Sequence, residues 1–274
     1  MERVPGTLWR RARMALQALG LGLLMSGHAD AAPVFKLKSP GEYFSDTKTL
    51  ALLNAALAGD LPRARQLVAE GANPNDEGPK DNPYNRIRLL HYAIAAGDAQ
   101  AVRVLVSVGG DPEINTLGGG GPALLFAINL DKPDMLSLLL ELRPLQSLVP
   151  RTVKTLLFQA VLSPSPRSAL EVLLKRSAPI DFPDSAGYTI LVRAMDAQDY
   201  DLAEWILLQG AAVVREPTIS GMTPANSVQF HLAKFKPGSP TYNKVLHLMQ
   251  LMAARGAVFP APSPQEIRAQ RGQK

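Results

Sequence analysis

The chain has 274 residues, 46% hydrophobic and 19% charged, enough to bury a sizeable core. Aromatics make up only 6%, a balance that suits closely stacked helices better than a sandwich or barrel, and no dense Lys/Arg run accompanies the net charge of +5, which argues against a nucleic-acid footprint. Cysteine is absent, excluding disulfides, thiolate metal sites, a cysteine nucleophile and a lipid-modified cysteine.

Residues 1–13 carry Arg3, Arg10, Arg11 and Arg13, and residues 14–26 form a short apolar stretch. Ala29-Asp30-Ala31 then supplies the small residues of a peptidase site, with cleavage expected after Ala31. Thirteen apolar residues fall short of the ~20 that a spanning helix needs, so residues 1–31 read as a secretory signal peptide. General secretion fits better than twin-arginine export, because Arg13 stands where the latter wants an apolar residue. The signal type and the Ala/Leu/Arg-rich composition point to the periplasm of a Gram-negative bacterium. Residues 32–48 are expected to cap the first repeat, with Tyr43 and Phe44 covering its apolar end.

From residue 49 to 260 an apolar helix-pair pattern returns about every 34 residues. The aligned positions are Leu52, Leu90, Leu124, Leu157, Leu191 and Ala225. Each begins a first helix (50–59, 88–97, 122–131, 155–164, 189–198 and from 223). Each is followed by a second stretch with apolar residues three and four apart (61–69, 100–108, 134–142, 167–175, 201–209 and 243–254), one face of a helix. Gly71, Gly109, Gly210 and Gly256 are placed as left-handed caps, while Arg143-Pro144 and Ser177 substitute in two repeats. Ala55, Ala93, Ala127, Ala160 and Ala194 recur where two helices approach most closely. The leucines at 138–140 and 156–157 are core at this spacing. Residues 230–242 are an insertion in the last repeat. Residues 261–274 form a polar tail, in which Ser263-Pro264-Gln265-Glu266 has the capping-box pattern of a short helix.

This pattern resembles the ankyrin repeat. Asp184-Ser185-Ala186-Gly187-Tyr188-Thr189 matches the family's Asp-x-x-Gly-x-Thr, Leu90-His91 its Leu-His, Gly221-Met222-Thr223-Pro224 its Gly-x-Thr-Pro, and Gly71-Ala72-Asn73-Pro74-Asn75 its exit loop. The resemblance implies an all-α ankyrin-repeat solenoid of about six helix-turn-helix repeats with loop or β-turn fingers. It also implies that partners touch the turn before each first helix and that helix's exposed end. Carried over, these places are Tyr84, Asn85 and Ile87; Asn129 and Leu130; Arg151, Thr152 and Lys154; Ser185, Tyr188 and Asp196; and Met222, Gln229 and Phe230. Tyr84, Tyr188 and Phe230 stand out as candidate aromatic anchors. The loop 73–87 is the longest connection, and its Tyr84–Arg88 end is read as functional.

Chemistry finds less support. His91 matches the family's structural histidine, whose ring is expected to bond the repeat's own turn, and His231 and His247 are expected at the surface. Ser45-Asp46-Thr47-Lys48 has the Ser-x-x-Lys spacing without its companion motifs, and reads as a polar approach to the first helix. Gly118 to Gly121 lacks the Gly-Lys-Ser/Thr of a phosphate loop and reads as a flexible turn. No catalytic residue, metal or cofactor is expected. The resemblance to exported bacterial ankyrin proteins implies a non-catalytic protein-binding module, first of all an immunity-type protein that neutralises a secreted effector such as a type VI secretion lipase. The alternatives are an envelope or oxidative-stress scaffold, or a hydrolase built around His231, Tyr242 and His247.

Overall fold

The structure, a computed structural model, describes residues 37–81 and 86–272. The expected leader with its cleavage point, Tyr84 and Asn85 lie outside the described residues. The chain divides into two compact units, Met1–Leu148 and Val149–Lys274. No helix among the described residues is long and apolar enough to cross a membrane.

In the first unit a short helix α1 (Pro40–Tyr43) precedes three helix pairs: α2 (Thr47–Leu57) with α3 (Leu61–Ala69), α4 (Leu89–Ala96) with α5 (Ala99–Ser107), and α6 (Ala123–Asn129) with α7 (Pro133–Leu142). Strands β1 (Glu77–Gly78) and β2 (Ile87–Arg88) pair antiparallel and form a finger between the first two pairs. The junction inside each pair turns the same way, and the first two share a cap as well. A residue with positive φ (Gly59, Gly97, Asp131) turns the chain, and the following Asp60 or Asp98 caps the second helix by accepting from the backbone N–H three residues on. Asp46 likewise caps α2, accepting from Thr49, so the Ser-x-x-Lys segment is indeed a helix approach.

Tyr43 and Phe44 do cover apolar surface, and the partner they meet is Tyr92 of α4. Phe44 is buried, both rings lie within 6.3 Å of the Tyr92 ring, and the Tyr92 hydroxyl donates to Lys38 O at 2.9 Å. Only glycine fits at position 78 in this arrangement, because a Cβ there would stand 1.9 Å from the Tyr43 carbonyl oxygen.

Two sequence expectations need correction here. The His91 ring reaches the turn of the next repeat, with Nε2 donating to Gly121 O at 3.0 Å and Phe126 against its face. The turn at Gly118–Gly121 is correspondingly packed: a Cβ on Gly118 would come within 2.4 Å of the Arg86 backbone, and Gly120 is buried beside His91.

The second unit holds α8 (Pro150–Val161) with α9 (Pro166–Leu174), α10 (Ile190–Asp196) with α11 (Tyr200–Leu208), α12 (Pro224–Leu232) with α13 (Pro240–Ala254), and a final α14 (Pro264–Gln270). The first helices α8, α10 and α12 pack side by side in that order. Their interior is apolar: Leu156, Leu157, Ala160, Ile190, Leu191, Ala194 and Val228 are fully buried. Asp199 caps α11, whereas Asp201 pairs with Lys244 at 2.6 Å. Ser177 takes the left-handed conformation that Gly210 and Gly256 adopt at the equivalent helix ends. The insertion expected at 230–242 begins inside α12, whose last residues are 230–232, and continues as the turn after it and the first turn of α13, capped by Ser239.

The polar tail is more structured than its composition suggests. Ser263 and Glu266 form the expected capping box, Ile267 is buried, and Arg268 and Arg271 donate to the carbonyls of Ser220 and Pro217. Gly221 permits the docking, since a Cβ there would lie 2.5 Å from Pro264 O. The C-terminal helix thus closes the apolar edge of the last repeat.

Candidate partner-binding surface

The finger residues and the exposed ends of the first helices meet most fully in the second unit. Asp184 opens the finger between α9 and α10. Its Oδ1 accepts from the backbone N–H groups of Ala186 and Tyr188 at 2.9 Å, folding the turn on itself. Its other oxygen pairs closely with Arg193 of α10. Burial pushes the Asp184 carboxyl up, but the Arg193 guanidinium and the two backbone donors outweigh it and hold it below its ordinary value. Arg193 also lies 4.5 Å over the Tyr188 ring, so one cation fixes both the finger and its aromatic. The Tyr188 hydroxyl bridges to Ser220 Oγ of the next finger at 3.0 Å.

Beyond Arg193 the chain of contacts continues along the helix ends. Asp196 lies 3.6 Å from Arg193 and 3.7 Å from His231 Nε2 on α12. His231 is only 3% exposed, contrary to the sequence expectation, and its Nδ1 is bonded to the Tyr200 hydroxyl at 3.0 Å. Burial, with the nearby Asp196 charge, pushes the Tyr200 hydroxyl up. His247 faces elsewhere, 3.6 Å from Glu204. His231 is therefore a core hydrogen-bonding group that seats α12 on α11, not an exposed base. Replacing Tyr200 with Phe is expected to leave a buried ring nitrogen unpaired and cost about 1 kcal/mol. Chemical denaturation of the variant checks this.

Above this buried polar link lies a row of exposed side chains. Leu162, Asp196 and Phe230 each stand five residues past the aligned positions 157, 191 and 225, so α8, α10 and α12 present them in register. Leu162 is 61% exposed and Phe230 58%, while Leu156 and Leu157 on the same helix as Leu162 are fully buried. Lys234 Nζ sits 4.0 Å over the Phe230 ring, and that ring meets His231 edge-on. The arrangement offers two apolar anchors, a central carboxylate and a ring-bound cation on a stiff support. Among the described residues no cluster of three His, Asp or Glu could hold a metal.

The remaining sequence candidates are placed as follows. Arg151 and Ser185 are exposed, and Thr152, Lys154, Tyr188 and Met222 are half-buried, all in the second unit. In the first unit Asn129 and Leu130 end α6 half-buried. Ile87 is corrected: at 2% exposure it lies inside the β1–β2 finger and offers a partner nothing. Gln229 is committed as well, exchanging hydrogen bonds with the Ala261 backbone in both directions. Leu162, Arg193 and Lys234 were missed. The register would have found Leu162, since Asp196 and Phe230 occupy the same place one and two repeats later.

No family profile matches the chain, and no curated protein sequence does. Solved structures do resemble it. The ankyrin repeat domain of Bcl-3, a member of the IkappaB protein family, is 22% identical, covering 79% of this chain and 92% of that one with a TM-score of 0.57. The human ASB11 ankyrin repeat domain is 19% identical, covering 72% and 96% with a TM-score of 0.43. A chain of the complex between a predatory endopeptidase from Bdellovibrio bacteriovorus and its immunity protein is 21% identical, covering 72% and 97% with a TM-score of 0.46. Together with the helix pairs, fingers and caps described above, the likeness to the first of these shows that the chain has the ankyrin-repeat fold.

Proposed function

We propose that the chain is a non-catalytic periplasmic protein-binding module that neutralises a secreted toxic effector, such as a lipase delivered by type VI secretion. The observation that carries this reading is the in-register row of Leu162, Asp196 and Phe230. Asp196 and Phe230 stand beside the buried His231 ring, which is hydrogen-bonded to Tyr200 and lies 3.7 Å from Asp196, and Leu162 is exposed at the end of α8. Exposed apolar side chains on a rigid support suit a macromolecular partner, because little conformational entropy remains to be lost on docking. The mechanism is occlusion. The row and the neighbouring fingers at Ser185 and Tyr188 cover the effector's catalytic mouth, and no bond is made or broken. The periplasmic location rests on the three-part layout of residues 1–31.

The test is co-expression with candidate secreted lipases and other hydrolases, each directed to the periplasm. Wild type should restore growth and bind the purified enzyme. The Leu162→Ala/Phe230→Ala pair should lose at least about 10-fold in affinity, the cost of removing anchors of this kind. An absence of both rescue and binding by the wild-type chain would count against the proposal.

A further inference from the structure

The second unit differs in charge from the first. Val149–Lys274 carries 14 Lys/Arg against 9 Asp/Glu, whereas residues 37–148 carry 10 against 13. The disposition of these charges matters more than their number. The carboxylates near the exposed row are already engaged: Asp184 by Arg193 and two backbone N–H groups, and Asp196 by Arg193 and His231. The cations flanking the row are not. Among the described residues Arg151, Lys154 and Lys236 have no carboxylate within ion-pair distance, and Lys234 meets only the Phe230 ring.

From these observations we infer that the row takes an acidic polypeptide segment, with carboxylates on both sides of an apolar stretch. This rests on the protein-binding reading above. Arg151 and Lys154 stand at the finger end of α8, and Lys234 and Lys236 follow the far end of α12, so the cations lie at the two ends of a bent path that runs along the row from Phe230 to Leu162 and then back along α8. Two interhelical spacings of 8–10 Å and eleven residues of helix at 1.5 Å each make that path about 34 Å long. An extended chain covers it in roughly ten residues. The segment's apolar side chains would meet Leu162 and Phe230. Its carboxylates would pair with cations that break no ion pair on binding, which raises association rate and selectivity.

The test selects a random 12-residue peptide display library on the mature chain and then titrates the enriched peptides by fluorescence anisotropy. Acidic peptides with internal Leu, Phe or Trp are expected. Their affinity should fall at least about 10-fold in Arg151→Glu/Lys154→Glu, in Lys234→Glu/Lys236→Glu and in Phe230→Ala, and should weaken with added salt. Arg151, Lys234 and Lys236 are exposed and Lys154 is half-buried, and matching thermal unfolding verifies that the charge variants fold. Enriched peptides that are neutral or basic yet lost in Phe230→Ala would overturn the acidic partner and leave the surface standing. Selection that yields nothing dependent on the row would overturn both. Binding of phosphatidylglycerol-containing vesicles or single-stranded DNA that vanishes in the charge variants but survives Phe230→Ala would overturn the inference in favour of a general polyanion.

Discussion

Leucine in place of Ala160 or Ala93 should cost about 1–3 kcal/mol of unfolding stability, the usual penalty for forcing extra methylenes into a packed core. Both alanines are fully buried. Their counterparts show why the site is tight. The Ala55, Ala93, Ala127 and Ala194 carbonyls each accept a backbone N–H from five residues further on, at 2.9–3.0 Å, and the Ala160 carbonyl accepts both the N–H and the hydroxyl of Ser163, three residues on. The chain therefore reverses direction directly over the alanine, and the second helix begins there. A longer side chain at this point must push one helix of the pair away from the other. Ala58→Leu, exposed at the end of α2, supplies the control and should change stability by no more than about 0.5 kcal/mol. Urea unfolding followed by circular dichroism reads both. Equal stability of Ala93→Leu and wild type would mean that the alanine positions are not the close-approach points.

Acid should weaken the protein through His91. Burial, reinforced by the Arg88 charge and only partly offset by the Gly121 hydrogen bond, lowers this ring's pKa from 6.5 to about 4. Nε2 faces a carbonyl and must carry the proton, while Nδ1 is buried without a partner among the described residues, so the folded chain holds the neutral ring. The unfolded chain takes up a second ring proton near pH 6.5 and the folded chain only near 4. Between those values the unfolded state binds more protons, and stability falls as pH falls. From pH 7 to pH 5 the loss from this one group comes to roughly 2 kcal/mol. His91→Gln removes it, so the variant's stability should decline less steeply over that interval, whatever other groups contribute. Identical slopes for variant and wild type would contradict the account. The effect is also local in origin, because the ring ties α4 to the turn before α6 and acid should open that junction first.

Much of this fold was legible because its determinants are local. The 34-residue period set the helix pairs, and the second-helix stretches of the sequence fall within a few residues of α3, α5, α7, α9, α11 and α13. Gly71, Gly109, Gly210 and Gly256 all take positive φ, as their positions required. What escaped depends on partners far along the chain. His231 is buried because Tyr200, 31 residues earlier, offers its hydroxyl. Gln229 is consumed by a backbone segment 32 residues later, and Gly118 is held by the Arg86 backbone 32 residues earlier. Composition alone made residues 261–274 look like a free tail, because the contacts that dock α14 run from arginines to carbonyls and leave no apolar signature except Ile267. The row of Leu162, Asp196 and Phe230 lies between these cases. Its register was in the alignment, but that Leu162 points outward while neighbouring leucines are buried follows only from the packing of α8 against α9 and α10.

The central claim is that the outward row on α8, α10 and α12 is where a protein partner docks, and hydroxyl-radical footprinting of the chain with and without a secreted enzyme that it binds tests it most directly. Leu162, Tyr188 and Phe230 should lose reactivity in the complex while exposed Val214 and Val258, away from the row, keep theirs. Protection confined to Val214 and Val258, with Leu162 and Phe230 as reactive as in the free chain, would contradict it.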